Sequence, residues 1–181
     1  MNHKQLSKLA LALGAMVMAG GAMAQSTANA NGTANANVIR PISISAVNSL
    51  EFGNIAVAAG DVTVSVAGER SFTNTQNNPG AANLGTTIRQ ATFTIGGEGA
   101  STYAITLPAN DVVTLITDGG GENKTMAVKS FLSDPATTGK IGGTAGTAGT
   151  QTLNVGATLV VGAGQVPGSY TGTFNVVVAY N

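Results

Sequence analysis

Apolar and polar residues alternate along most of the chain after residue 40, which is the period of a β-strand with one buried face. The pattern is clearest in Ala91–Ile95 and Leu153–Leu159, where Thr, Asn or Gly separates the apolar positions. No stretch after residue 25 shows the helical spacing with caps, so we expect little helix. Further alternating runs are Val62–Val66, Tyr103–Leu107, Val113–Leu115, Met126–Val128 and Tyr170–Tyr180.

Clusters of turn-forming residues separate these runs. Gly supplies positive φ and Pro fixes φ, so the clusters predict turns rather than continuous strands. The Gly- and Thr-rich stretch 142–150 predicts the longest surface loop. Many short strands without helices between them predict an all-β, immunoglobulin-like β-sandwich, with a closed barrel as the main rival. The other turn clusters are 77–80, 96–99, 118–121 and 133–135.

The N-terminus has the layout of a cleaved export signal. Lys4 and Lys8 precede the apolar run Leu9–Gly20, and Ala22-Met23-Ala24 offers a small-x-small cleavage site. The apolar run is shorter than the roughly 20 residues that a membrane-spanning helix needs. We therefore predict a signal peptide at 1–24, an extension at 25–37, a single β-sandwich at 38–181, and export to the periplasm and then to the cell surface or beyond.

Composition narrows the chemistry of the exported chain. The 181 residues include 8 basic and 8 acidic ones, no Cys, and one His at position 3. Removal of the signal peptide with Lys4 and Lys8 leaves 6 basic residues against 8 acidic ones, a net charge of −2, and no His. Disulfides, His or Cys catalysis, and His or thiolate metal sites are then excluded. Sparse charge also argues against nucleic-acid binding.

We therefore expect a protein that is not an enzyme and holds no cofactor. A hydrolase built on two carboxylates stays a distant alternative, because folding could bring two of them together across a cleft. Asp118 and Glu122 could also hold calcium, although their spacing differs from that of an EF-hand loop.

The extension at 25–37 alternates small residues with Asn. One interpretation is a solvated, disordered leader, because Ala buries too little surface to offset the cost of ordering. The other is a donor strand that becomes ordered by adding to the sheet of another subunit. The donor face would consist of Ala28, Ala30, Gly32, Ala34, Ala36 and Val38.

The C-terminal run Gly168–Asn181 is strongly apolar on one face, and Val177 and Ala179 leave the other face hardly polar. The sequence is compatible with a central strand of a complete sandwich. It is equally compatible with an exposed edge strand, which would be prone to aggregation unless another chain covered it.

The same run resembles the C-terminus of chaperone–usher fimbrial subunits. The resemblance rests on Gly168, which is fourteenth from the end, the alternating apolar residues, and the penultimate Tyr180. The order of several short motifs over most of residues 38–181 also resembles an uncharacterised family of exported bacterial proteins with pilin-like sandwiches. These motifs are Leu50-Glu51-Phe52-Gly53, Phe93-Thr94-Ile95-Gly96-Gly97, Leu107-Pro108 and Val155-Gly156-Ala157-Thr158-Leu159.

The resemblance implies an incomplete sandwich that lacks its last strand. A periplasmic chaperone would fill the resulting groove first, and the extension of a neighbouring subunit would then replace it. The function implied is that of a structural or adhesive fimbria-like subunit; the alternative is a self-contained binding module for a glycan or surface ligand. The residues expected to border the groove are Gly168, Tyr170, Phe174, Val176, Val178 and Tyr180.

Overall fold

The computed structural model describes residues 27–80, 86–110, 113–118 and 122–181. Within these ranges the only helical element is one 3-10 turn, Thr75–Asn77. The rest of the regular structure is β-strand: β1 Ser43–Asn48, β2 Gly60–Val64, β3 Arg70–Phe72, β4 Ala91–Glu98, β5 Thr102–Thr106, β6 Val113–Ile116, β7 Thr125–Asp134, β8 Thr138–Lys140, β9 Ala148–Val161 and β10 Val177–Tyr180.

The strands form two antiparallel sheets. The larger sheet has seven strands in the order β1-β4-β9-β2-β3, with β7 also paired to β9 and β6 to β7. The smaller sheet has the order β10-β5-β8. The predicted all-β sandwich is confirmed. The rival closed barrel is not formed, because the two sheets in the described part of the chain remain open at their ends.

The long strand β9 organises the larger sheet. It pairs with β4 over residues 148–155, with β2 over 157–161 and with β7 over 154–159. Because β7 shares its β9 partners with both β4 and β2, it must lie along the opposite edge of β9, while β4 and β2 follow each other along one edge. One strand therefore joins the two halves of the sheet.

The core lies on the inner face of the larger sheet. Leu153, Val155, Ala157, Leu159 and Val161 of β9 are buried while Thr152 is exposed, as the alternation predicts. Thr158 departs from this pattern, because it is only 8% exposed and its hydroxyl lies 2.9 Å from that of Thr63. Tyr103 brings the smaller sheet onto this core, and its ring passes where a Cβ at Gly139 would lie 2.2 Å from it. The fully buried residues that form the centre of the core are Val62, Val64, Ile95, Tyr103, Ile141, Leu153 and Val155.

The turn prediction at 96–99 is wrong, because β4 continues through Glu98. Two glycines are tolerated there since neighbouring side chains occupy the space of their missing Cβ atoms: Ser43 Oγ over Gly96 and Tyr180 Oη over Gly97. The turn prediction at 133–135 is wrong in the same sense, because β7 runs through Asp134.

The predicted loop at 142–150 is shorter than expected, because its last three residues belong to β9. The alternation also missed three strands, β1, β3 and β8. Two of them are only three residues long, too short for a period of two to be recognised.

The signal peptide predicted at 1–24 and residues 25–26 lie outside the described residues. From Thr27 to Asn37 the chain has no regular secondary structure and is exposed. Val38–Asn181 form one compact unit. Across the described ranges, no helix has the length and apolar character needed to cross a bilayer.

Candidate assembly groove

An open groove lies on the inner face of the larger sheet, beside the area that the smaller sheet covers. Its volume is 1240 Å³, and its two walls are the segments 46–57 and 166–174. Among the described residues the smaller sheet has three strands, and it does not cover the end of the core formed by β6, β7 and β2. The two irregular segments lie over this end instead. The floor consists of core side chains: Ala91, Phe93, Val113, Leu115, Met126, Val128, Leu159 and Val161.

The first wall begins in the edge strand β1. A bulge between Ala46 and Asn48 interrupts its pairing with β4, and Val47 at this point is 58% exposed although it lines the groove. A bulge of this kind bends an edge strand and ends its ladder. At the bulge the first wall therefore presents an exposed apolar side chain, while Asn48 and Glu51 farther along are still paired with β4 and with Arg89.

Arg70 from β3 fixes the middle of the first wall. Its Nη1 donates to the carbonyl oxygens of Phe52 at 2.7 Å and Asn54 at 2.8 Å, and its guanidinium lies 4.8 Å from the ring centroid of Phe72. Partial burial lowers the pKa of Arg70. The guanidinium stays charged even so. The two carbonyl oxygens accept its hydrogen bonds and the Phe72 ring stabilises its charge, so its position within the wall is fixed.

The second wall is held by Tyr170. Its hydroxyl donates to the Val166 carbonyl at 2.6 Å and lies 2.9 Å from Nε2 of the buried Gln165. This closes the turn 166–170 on itself in the way that a tyrosine corner does. Thr171 then makes one two-bond bridge with Ile116 of β6, through bonds of 3.0 and 2.8 Å.

The wall then leaves the sheet. Residues 172–176 belong to no strand, and the described part of the chain offers them no backbone partner outside the strand ladders. The Phe174 ring anchors this stretch, with centroids 6.2 Å from Phe93 and 5.2 Å from Phe131. Backbone groups beside an open apolar groove are the arrangement that an added strand needs.

The structure separates the residues predicted to border the groove. Gly168, Tyr170 and Phe174 line it. Val176 is instead 7% exposed within the core, and Val178 packs against the core from β10. Tyr180 lies in a different contact, described below. The residues of the expected apolar face are therefore divided among the groove, the core and the contact of Tyr180.

The expectation of one long C-terminal strand is wrong, because only Val177–Tyr180 form a strand. Residues 172–176 before it have no strand structure, and Phe174 among them packs on the Phe131 ring. β10 pairs with β5, and no other strand of the described residues pairs with its second edge. The interpretation as a central strand is therefore also wrong for the described chain.

Tyr180 contributes to a polar cluster that we name the junction clamp, formed by Arg40, Glu98, Gly146 and Tyr180. The Tyr180 hydroxyl donates to the Arg40 carbonyl at 2.9 Å and accepts from the Glu98 amide at 2.7 Å. Arg40 Nη1 lies 3.1 Å from Glu98 Oε2, and donates to the Gly146 carbonyl at 3.0 Å. The amide of Gly146 donates to the other carboxylate oxygen of Glu98.

Glu98 is the residue that sequence reasoning missed most clearly. It appeared to be a solvated turn residue, yet its side chain is only 9% exposed. The hydrogen bond from the Gly146 amide is the main cause that holds the pKa of Glu98 below its ordinary value, and the contacts with Arg40 act in the same direction. Its position at the end of an alternating run, between glycines, was the available signal.

Charged groups near the groove are paired. Arg89 Nη2 lies 3.7 Å from Glu51 Oε1, and both line the groove. No cluster of metal-ligating side chains occurs among the described residues. The predicted calcium site at Asp118 and Glu122 includes Gly119–Gly121, which lie outside the described residues.

Comparison with curated proteins finds no match, and comparison with solved structures finds none either. A comparison with protein families finds one match, to a family described as a domain of unknown function, DUF4402, over residues 42–180. The matched range contains both walls of the groove and all ten strands. The chain therefore belongs to the DUF4402 family.

Proposed function

We propose that the protein is an exported structural or adhesive surface subunit that assembles by accepting a β-strand of a neighbour in its groove. The observation that carries this proposal is the 1240 Å³ groove, which has an apolar floor and a second wall that is partly without a backbone partner among the described residues. Proteins seldom leave such a backbone edge next to apolar surface without a partner.

Strand addition supplies two kinds of stabilisation. Backbone hydrogen bonds along residues 172–174, the part of the irregular stretch that lines the groove, would each contribute about 0.5–1.5 kcal/mol. Alternate side chains of the added strand would cover the groove floor, at roughly 25 cal/mol per Å² of apolar surface removed from water. Backbone bonds supply affinity in strand addition, and the side chains supply specificity.

The extension of a second copy fits this groove by length and charge. An extended segment 28–38 spans about 36 Å, and the nine-residue wall 166–174 spans at most about 30 Å. Residues 25–39 contain no charged side chain, and the groove pairs its own charges. Val38 is the one bulky apolar side chain of the donor face, and it is 92% exposed, so a neighbouring subunit could bury it.

The small donor residues also set the limit of the affinity. Ala buries one methyl group, worth about 0.8 kcal/mol, where a Leu would bury several such groups. We therefore propose weak individual contacts that become stable only within a polymer. Before assembly a periplasmic chaperone would cover the same groove, as the fimbrial resemblance implies.

The test uses a variant lacking residues 27–37 together with a fluorescent peptide of residues 27–39. Peptide anisotropy measures binding to the empty groove, and a peptide with Ala30→Asp and Ala34→Asp is the control. We expect saturable binding of the first peptide only. Equal binding of both peptides, or of neither, would contradict strand addition from this segment.

A groove variant locates the binding. Phe174→Asp is a poor choice, because Phe174 also packs on Phe93 and Phe131. Val47→Asp is better: Val47 lines the groove and is exposed, so the free subunit should fold normally. Leu132→Asp is the matched control, since Leu132 is 67% exposed and does not line the groove.

We expect Val47→Asp to abolish peptide binding and the higher-mass species of the full-length protein in light scattering, and Leu132→Asp to change neither. Loss of binding in both variants would point to nonspecific stickiness instead of a defined groove.

A further inference from the structure

The junction clamp holds the main chain at the point where the extension meets the sandwich. Arg40 belongs to no strand, yet both of its backbone groups are bound by side chains. Its amide donates to Glu98 Oε2 at 3.4 Å and its carbonyl accepts from Tyr180 Oη at 2.9 Å. Side-chain capture of a backbone donor and acceptor on one exposed residue fixes that residue without a sheet.

Four segments that are distant in sequence meet here. Arg40 precedes β1, Glu98 ends β4, Gly146 belongs to the loop before β9, and Tyr180 ends β10. Tyr180 reaches β4 because Gly97 has no side chain: a Cβ there would lie 2.2 Å from the hydroxyl oxygen. The clamp therefore connects the larger sheet, through β4, with the smaller sheet, through β10.

Without the clamp, β1 would be a weak attachment for the extension. Among the described residues β1 is an edge strand that pairs with β4 alone, beginning at Ser43 opposite Gly96. A force on the preceding residues would open this ladder from its end, one bond at a time. Val38 and Ile39 are exposed, so the first apolar side chain of this segment that packs against the core is Ile42, directly before the strand.

We propose that the junction clamp is a tension-bearing device, which passes load from the extension directly to β4 and β10 and so protects β1 from being peeled away. The load would rest on several hydrogen bonds at once. This role rests on the proposed function. In a polymer, the extension of each subunit would be held in the groove of one neighbour, and its own groove would hold the extension of another, so tension would act between the two sites. The segment 166–176 leads straight into β10, so the path between the two neighbours is short.

Single-molecule pulling tests the device on the isolated protein. The chain has no Cys, so Cys introduced at two positions gives unique handles. In one geometry, handles at Ala28 and Thr173 load the clamp. In the other, handles at Ser45 and Thr173 bypass it, because Ser45 lies within β1.

Tyr180→Phe removes the hydroxyl that holds both Arg40 and Glu98. At fixed force, we expect β1 to detach from β4 about tenfold faster in the first geometry, because this variant loses two hydrogen bonds of the clamp that carries the load there. In the second geometry the load does not pass through the clamp, so we expect the rate of detachment to stay unchanged. Tyr103→Phe is the control, because its hydroxyl bonds to Gln151 at 2.9 Å inside the sandwich. We expect this control to show no dependence on geometry.

Equal acceleration of Tyr180→Phe in both geometries would show a general stabilising role and overturn the proposal, as would no acceleration in either. The result does not depend on assembly. If the peptide does not bind but the Tyr180→Phe effect depends on the pulling geometry, the proposed function is rejected and the clamp proposal stands. If the peptide binds but the Tyr180→Phe effect does not depend on the geometry, the clamp proposal is rejected and the proposed function stands.

Discussion

Phe174 is the side chain that keeps the second wall of the groove in place. The stretch 172–176 has no strand of its own, so its position depends on the contacts of Phe174 with Phe93 and Phe131 and on burial of Val176. Phe174→Ala removes the ring while leaving the backbone unchanged. The variant should therefore loosen the wall without disturbing the strands around it.

The expected loss of stability follows from burial and ring contacts. A fully buried Phe→Ala change costs about 3–5 kcal/mol. Phe174 is only partly buried, because the groove exposes one side of it, so we expect about 2–3 kcal/mol. Of this, each aromatic pair should account for about 0.5–1.5 kcal/mol.

Urea unfolding followed by circular dichroism measures the total, and a double-mutant cycle with Phe131→Leu isolates one ring pair. We expect a coupling energy of about 0.5–1 kcal/mol and faster amide exchange at Thr171, next to the detached wall. A total loss below about 1 kcal/mol together with zero coupling would refute the view that Phe174 anchors the wall.

Three further changes test the packing and the charges. Gly97→Ala places a Cβ 2.2 Å from the Tyr180 hydroxyl, so thermal unfolding should show a loss of about 1–3 kcal/mol, whereas Gly32→Ala, with nothing within 4 Å, should show none. Glu98 has a lowered pKa, so its contribution is present above about pH 4.3 and is lost as the pH falls through its folded pKa; Glu98→Gln should flatten this acid limb of the stability curve. Tyr103→Phe should cost about 1 kcal/mol in urea unfolding, and no change would mean that water replaces its hydrogen bond.

The fold was predictable where a strand is long and buries alternate residues. Leu153, Val155 and Leu159 alternate with Asn and Thr because one face of β9 packs on the core. The C-terminal alternation was equally visible, but it could not show that the chain is irregular from residue 172 to 176. In this stretch Phe174 packs on Phe131, a contact between residues 43 positions apart that no local pattern reveals.

The groove and the clamp were predictable only in part. The apolar face that contains Tyr170 and Phe174 was compatible with an edge strand and with a central one, and only the fimbrial resemblance implied a groove; both residues line the groove of the structure. In the opposite wall, Leu50-Glu51-Phe52-Gly53 was visible as a motif, but Val47 gave no sequence signal, because a bulge breaks the period that identifies a strand. Glu98 was missed because the partners that bury it, Arg40 and Gly146, are distant in sequence.

The position of β9 has a consequence for how this molecule is made. Among the described residues, strands β2, β4 and β7 meet through β9 alone, which ends at Val161. A nascent polypeptide therefore lacks the strand that joins its larger sheet until residue 161 has been made. Such late, long-range closure slows folding. Until then, β2, β4 and β7 lack the partner that they share, so the earlier part of the polypeptide cannot complete its larger sheet.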